Sequence, residues 1–310
     1  IRPDKASAFG EIIARDDIAL YADGASAHFD SLVEPGPAYS AQIAPLIAQT
    51  APDTLLRPAP GLATLSGNFS LSLPETWNAL RAVLANLPWV DASLATLVQF
   101  AGERQDAIAA TFGPLLAGAG PGWTLTFHGF DHTAVLPAPQ FSGFTPCDAA
   151  SFEVHADTLQ PLPDTEHQWP AAGFVEPTTR TLLVPMPAGP AFTPAAIHTG
   201  ELLVLGNGQD TLAAAAAQAE RSYLELRANL YLTVSPQPLI EAVREVAVDL
   251  ADAGLLRDQT SDTVAASFAR WQDVARRIDS AAVYVAHEAP AVRVVIDLDL
   301  EDDAAADVTE

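Results

Sequence analysis

The stretch FHGFDHTAV, residues 127–135, brings His128, Asp131 and His132 close together in the chain. Histidine is the commonest metal ligand, and three imidazole nitrogens with one carboxylate are enough to hold a zinc or copper ion. Four of the seven histidines fall between residues 128 and 167. The candidate ligands of such a metal site are His128, His132, His155 and His167.

The same stretch also fits a second interpretation, in which it forms the polar turn of a β-hairpin between WTLTF and TAVLP. Two histidines spaced as HxxxH align as ligands on a helix, whereas a turn does not guarantee that geometry. Gly129 would supply backbone freedom, and Asp131 is a common turn residue. The sequence contains neither a GxSxG elbow nor an HExxH zinc helix, so it predicts no catalytic residues.

Composition narrows the classes of partner. The chain carries 39 acidic and 15 basic side chains, for a formal net charge of −24. Such an anion repels nucleic acid and anionic lipid at long range, so neither is an expected partner. Every apolar run is shorter than the roughly 20 residues that a membrane-spanning helix needs. Cys147 is the only cysteine, which excludes a disulfide within the chain and a thiolate-rich metal site.

The last third of the chain has the clearest periodicity. Residues 229–234, NLYLTV, alternate as a half-buried strand does. A helix follows from Pro236 with apolar residues at every third or fourth position, and Gly254 is expected to end it. A second amphipathic helix and two alternating strands, AAVYVA and VRVVIDLDLE, complete the chain. The predicted order is therefore strand, helix, helix, strand, strand.

The first half shows the same order, beginning with a strand at residues 68–73, NFSLSL. The segment NFSLSLP aligns with NLYLTVSP at an offset of 161 residues, from 68 to 229. We therefore predict an α+β fold with an internal duplication of a strand-helix-helix-strand-strand unit, its sheets covered by helices on one face. The predicted divisions are a first lobe, connecting strands with proline-rich loops, a second lobe and an acidic tail, at residues 1–140, 141–200, 201–303 and 304–310.

Three shorter segments carry local predictions. GELLVLGNGQDTLAAAAAQ reads as a strand, a tight Gly206-Asn207-Gly208 turn and a helix. A lone GxG between a strand and a helix is a weak signal for a phosphate site, so the turn is the preferred interpretation. SFEVHA and RTLLVPM, residues 151–156 and 180–186, are interpreted as short strands.

The piece GELLVLGNGQDTLAAAAAQ, followed by NLYLTVSPQPLIEAV and a hairpin ending in VRVVIDLDL, resembles a broad group of exported bacterial proteins. These proteins are two-lobed, often lipid-anchored and mostly of unknown function. The resemblance implies an α+β duplication and export across the inner membrane, and it brings no catalytic residues. The expected location is the periplasm, the cell surface or the extracellular space. Because the chain begins at Ile1 and not with methionine, we also expect that an upstream segment was removed. A cleaved export signal, a lost lipid or helical anchor and simple trimming of the chain would each explain this start.

Tryptophan positions give a modest indication of contact surfaces. Trp77 and Trp271 lie on apolar helical stripes and are predicted to be in the core. The other three lie near proline or glycine at segment ends, where an exposed ring could contact a partner. These three are Trp89, Trp123 and Trp169.

Three functions remain open. The preferred hypothesis is a non-enzymatic envelope or extracellular protein, a structural or accessory subunit that assembles with a protein partner or with itself. The second is a periplasmic protein that binds a small molecule or lipid between its lobes. The third is a metal-binding protein or metal-dependent enzyme that uses the histidines of residues 128–167 to hold zinc or copper as its cofactor. A large pocket favours the second, convergent imidazoles favour the third, and a flat exposed aromatic patch favours the first.

Overall fold

The structure, a computed structural model, describes most of the chain. The described residues are 13–23, 25–35, 51–68, 105–117, 122–132, 137–161, 174–176, 180–186, 189–219, 222–256, 258–288 and 291–301. Residues 69–104, which include Trp77 and Trp89, lie outside them, as does Trp169.

Fifteen strands and five α-helices occur in the described part of the chain. The strands are β1 (Ile13–Asp23), β2 (Ser26–Pro35), β3 (Leu55–Leu56), β4 (Ala63–Gly67), β5 (Trp123–Asp131), β6 (Ala138–Pro146), β7 (Gln160–Pro161), β8 (Phe174–Glu176), β9 (Thr181–Leu183), β10 (Pro194–Thr199), β11 (Leu202–Asn207), β12 (Tyr223–Leu224), β13 (Leu230–Val234), β14 (Ile278–Glu288) and β15 (Ala291–Leu300). The helices are α1 (Gln105–Ala117), α2 (Ala149–Thr158), α3 (Gln209–Gln218), α4 (Pro236–Asp252) and α5 (Ser261–Ala275), with a 3-10 turn at Pro190–Phe192.

Thirteen of these strands form one sheet, in the order β1-β2-β15-β14-β13-β4-β5-β6-β11-β10-β9-β8-β7. All neighbours pair antiparallel except β7 and β8, which are parallel. The fold is therefore mixed, with a large antiparallel sheet, as the predicted α+β class implies. The predicted connecting segment, residues 141–200, contributes strands to this sheet.

The second half follows the predicted order of strand, helix, helix, strand and strand. Pro236 opens α4 at a position where its missing N–H costs nothing. Gly254, at φ +71°, ends α4 by adopting the left-handed conformation that a C-terminal cap requires. Thr260 caps α5 by accepting a hydrogen bond from the backbone N–H of Thr263. The prediction is confirmed element by element.

In the first half, the strand that pairs with β13 is β4, with Leu65 opposite Leu232. The predicted strand NFSLSL begins at Asn68, and its residues 69–73 lie outside the described residues. β5 and β6 then form a hairpin beside β4, as β14 and β15 do beside β13. The internal duplication stays a prediction.

Helices cover both faces of the sheet near β11, unlike the single covered face that we predicted. We call face A the side that carries Val204 and face B the side that carries Leu203. α3 packs Leu212 and Ala215 against Val204 on face A. α1 and α2 form a separate core with Leu203 on face B. A strand buried on both faces must be apolar at every position, and β11 begins LLVL for that reason.

The segment SFEVHA is a helix, which corrects the strand prediction. Asp148 caps α2 by accepting a hydrogen bond from the Ser151 backbone N–H at 2.9 Å. Phe152 and Ala156, four residues apart, lie on the buried side of α2. The valine between them, Val154, points to solvent. The apparent alternation of this segment was therefore a coincidence of composition.

None of the described helices is both long enough and apolar enough to cross a membrane.

Candidate functional site

The three described histidines of the proposed metal site lie in three different hydrogen-bonded settings. His128 Nε2 lies 2.7 Å from Ser142 Oγ on β6. His132 Nδ1 lies 2.9 Å from an Asp249 carboxylate oxygen on α4, and His155 Nε2 lies 2.7 Å from the Thr111 carbonyl oxygen on α1. No group of three or more His, Cys, Asp or Glu side chains in the described residues could hold a metal ion. His167 lies outside the described residues, so the metal site stays a prediction.

His128 lies within β5, and not at the hairpin turn where the second interpretation placed it. β5 runs to Asp131, and its pairing with β6 shifts register between Phe127 and Gly129. Gly129 adopts φ +122°, a conformation that an L side chain rarely takes. This irregularity lets the strand continue and turns His128 toward Ser142. The sequence signal was correct about backbone freedom at Gly129 and wrong about where the strand ends.

The contact of His128 with Ser142 resembles the histidine–serine pair of a nucleophilic enzyme. Ser142, however, is only 2% exposed, so a substrate cannot reach its hydroxyl. Burial also lowers the pKa of His128, because the protein interior disfavours the imidazolium form. A neutral imidazole bonded to a buried hydroxyl satisfies two polar groups of the β5–β6 pair, and we interpret this contact as structural.

A second polar cluster lies on face A where β2, β15 and β14 meet. Arg293 donates two hydrogen bonds to the Asp30 carboxylate, at 3.1 and 2.6 Å. This guanidinium holds the pKa of Asp30 below its usual value. The pKa of Asp299 is lowered as well, because Ser280 and Ser26 donate hydrogen bonds to its carboxylate. These bonds cross between neighbouring strands, so they stabilise the ionised forms and pin the register of the sheet.

His28 extends the same cluster toward β1. Its Nδ1 lies 2.7 Å from an Asp297 oxygen, and its ring stacks on Tyr21 with centroids 4.8 Å apart. Tyr284 and Tyr231 follow across β14 and β13, and burial raises the pKa of both phenols. The charged side chains of the cluster are thus bonded to one another or to serine hydroxyls on one sheet face, which accounts for their charges without a substrate.

The turn at Gly206-Asn207-Gly208 has a structural role, as the preferred interpretation held. Asn207 Oδ1 accepts a hydrogen bond from the Phe141 backbone N–H at 2.6 Å, and its Nδ2 donates to the carbonyls of Pro139 and Ala191. Gly208 adopts φ +76°, and a Cβ at Gly206 would lie 3.3 Å from the Leu212 Cα atom. The turn therefore brings β11, α3 and β6 into contact. The side-chain amide of Asn207 is hydrogen-bonded within the protein.

An apolar groove lies between α4 and α5, with a cavity volume of about 420 Å³. None of the residues that line it is charged. We call it the α4–α5 groove; its lining residues are Val243, Ala247, Leu256, Gln259, Val264, Ser267, Phe268 and Trp271. It lies within one helical pair, and not between two lobes as the second hypothesis expected.

Two tryptophans have the opposite burial from the one predicted. Trp271 is 62% exposed at the groove, although its stripe position indicated the core. Trp123 is 3% exposed in β5, although its place at a segment end indicated a contact surface. Helical and strand periods tell which residues share a side, whereas burial depends on what packs against that side. Sequence reasoning missed the groove for this reason.

No family model, curated protein or solved structure matches this chain.

Proposed function

We propose that this protein is a non-enzymatic binding protein that holds a small, uncharged apolar ligand in the α4–α5 groove. The observation that carries the proposal is the lining of the groove, which is mostly hydrocarbon with Gln259 and Ser267 as its two polar residues. A charged ligand group would lose its hydration there without gaining a partner. The groove therefore favours a hydrocarbon chain or ring system over a polar metabolite.

The size of the groove supports a small ligand. Sites for small molecules usually enclose about 300–1,000 Å³, and the groove, at about 420 Å³, lies in the lower part of that range. Each methylene transferred from water into such a site contributes about 0.8 kcal/mol. Trp271 and Phe268 offer the largest apolar contact areas along the wall. Most of the exposed Trp271 ring would be covered by a bound ligand, which accounts for an aromatic residue facing water in the free protein.

The structural or accessory subunit remains a second candidate function. It is favoured by β1, an edge strand whose described side chains are exposed on both sides. Export to the periplasm, the cell surface or the extracellular space belongs to the proposal too. Its support is the resemblance of the last third of the chain to exported two-lobed proteins.

A duplicated architecture is the remaining part of the proposal. β4 and β13 lie side by side, and each borders a hairpin. If the halves are copies, residues 69–104 form a helix beside α1 in the arrangement that α4 and α5 show. An experimental structure of residues 69–104 tests this, and strands in that segment would overturn the duplication.

Binding of Nile red, an uncharged apolar dye that fluoresces on leaving water, tests the proposed groove. We expect Ala247→Trp to weaken dye binding by about tenfold or more, because an added indole fills space that the ligand needs. Trp271→Ala should also weaken binding, by removing a wall of the groove. The matched control is Ala266→Trp, since Ala266 lies exposed on α5 and does not line the groove. Equal binding by the Ala247→Trp and Ala266→Trp variants would show that the dye binds elsewhere and would overturn the proposal.

A further inference from the structure

We propose that two copies of this protein associate through β1, edge to edge and antiparallel, so that the two sheets become continuous. This association goes beyond ligand binding in the α4–α5 groove and does not depend on it. The occupant of the β1 edge is a second copy of the chain.

Within the part of the chain that the structure describes, β1 has the properties of an uncovered edge. It ends the thirteen-stranded sheet, and β2 is the strand that it pairs with. Every side chain from Asp17 to Asp23 is exposed. Leu20 is 75% exposed and Ile18 is 55% exposed. A long edge strand with exposed apolar side chains is a template for pairing with another strand.

The residues of β1 are complementary to themselves in one register. Two antiparallel copies related by a two-fold axis normal to the sheet keep the same faces aligned. The sequence numbers of two paired residues therefore differ by an even number. With the axis at Ala19, Ile18 of each copy lies opposite Leu20 of the other. The same register sets the basic residue Arg15 opposite the acidic residue Asp23, twice in the dimer. Apolar pairs and opposite-charge pairs both stabilise neighbouring strands.

Neighbouring registers lose this complementarity. An axis at Leu20 sets Asp17 opposite Asp23, so two pairs of like charges face each other. An axis at Ile18 sets the apolar position Leu20 opposite the acidic position Asp16. The register centred on Ala19 is thus selected by the chain itself, and this self-complementarity favours a second copy over an unrelated strand. Because each copy carries a net charge of −24, the dimer should form more readily where salt screens their mutual repulsion.

Cysteine cross-linking tests the register directly. In the proposed dimer, the two Ala19 Cα atoms lie about 4.5–5.5 Å apart, within the range that a disulfide spans. Ala19→Cys is therefore expected to give a disulfide-linked dimer as the main species under mild oxidation. Ala22→Cys is the matched control, because the two copies of this position lie about 20 Å apart in the same register. The native Cys147 is buried, and burial raises the pKa of its thiol, so it should not compete.

Light scattering in about 0.5 M NaCl measures the association itself. We expect a concentration-dependent species of twice the 32.6 kDa chain mass for the wild type. Leu20→Asp should be monomeric, and Val154→Asp, which changes an exposed valine far from β1, should still associate. A wild type that stays monomeric, or a Leu20→Asp variant that still pairs, would overturn the proposal. Cross-linking at Ala22 in place of Ala19 would overturn the register.

Discussion

Replacing Phe152 with alanine is expected to lower the free energy of unfolding by about 3–5 kcal/mol. Phe152 is 1% exposed and belongs to the core between α1, α2 and face B, together with Phe112 and Leu182. Its ring also lies 5.5 Å, centroid to centroid, from the ring of His198. Truncation removes this buried area and leaves a cavity that the rigid sheet behind it cannot close. Urea unfolding followed by circular dichroism measures the loss.

The same helix offers a matched control. Val154, two residues from Phe152, is 69% exposed and lies on the opposite side of α2. Val154→Ala should change the free energy of unfolding by no more than about 0.5 kcal/mol, as surface substitutions usually do. Similar losses for the two variants would mean that SFEVHA does not form a helix with Phe152 inside. The comparison therefore tests the correction of the strand prediction as well as the core.

Asn207→Ala is expected to lower the free energy of unfolding by about 2–3 kcal/mol, because it removes three hydrogen bonds that each contribute about 0.5–1.5 kcal/mol. Its amide accepts from the Phe141 N–H at 2.6 Å and donates to the Ala191 carbonyl at 2.8 Å and to the Pro139 carbonyl. Removing the amide takes away the hydrogen-bond partner of these backbone groups, and alanine cannot replace any of the bonds. Urea unfolding measures the total effect, and hydrogen exchange at the Phe141 amide measures the local one.

Gln218→Ala serves as the control for this variant. Gln218 is an exposed amide side chain at the end of α3, the helix that the Asn207 turn introduces. We expect a change within about 0.5 kcal/mol and unaltered exchange at Phe141. If Asn207→Ala were equally mild, the Gly206-Asn207-Gly208 turn would not be held by its amide. A different role for the turn, including the phosphate site that the sequence left open, would then need testing.

Local patterns were sufficient for the second half of the chain. Alternation predicted β13, β14 and β15, and apolar spacing predicted α4 and α5, because successive side chains point to opposite faces of a strand and recur on one helix face every three or four residues. Gly254 and the turn at Asn207 were predicted correctly, since positive φ and tight turns depend on the residues themselves.

Patterns failed where two arrangements had the same period or where burial came from both sides. SFEVHA alternates as a strand does, but the N-cap at Asp148 and the burial of Phe152 make it a helix. The sequence predicted only one covered face of the sheet. The helices packed on both faces of β11 explain why its apolar run does not alternate.

By itself, the sequence determined the order of elements in the second half of the chain and the absence of the catalytic motifs GxSxG and HExxH, since both depend on residue type and spacing. Only the tertiary structure decided which surfaces stay open to water. It placed His128, His132 and His155 against three separate partners, exposed Trp271 and buried Trp123. The reason is that exposure and convergence depend on contacts between residues far apart in the chain, which no local period records.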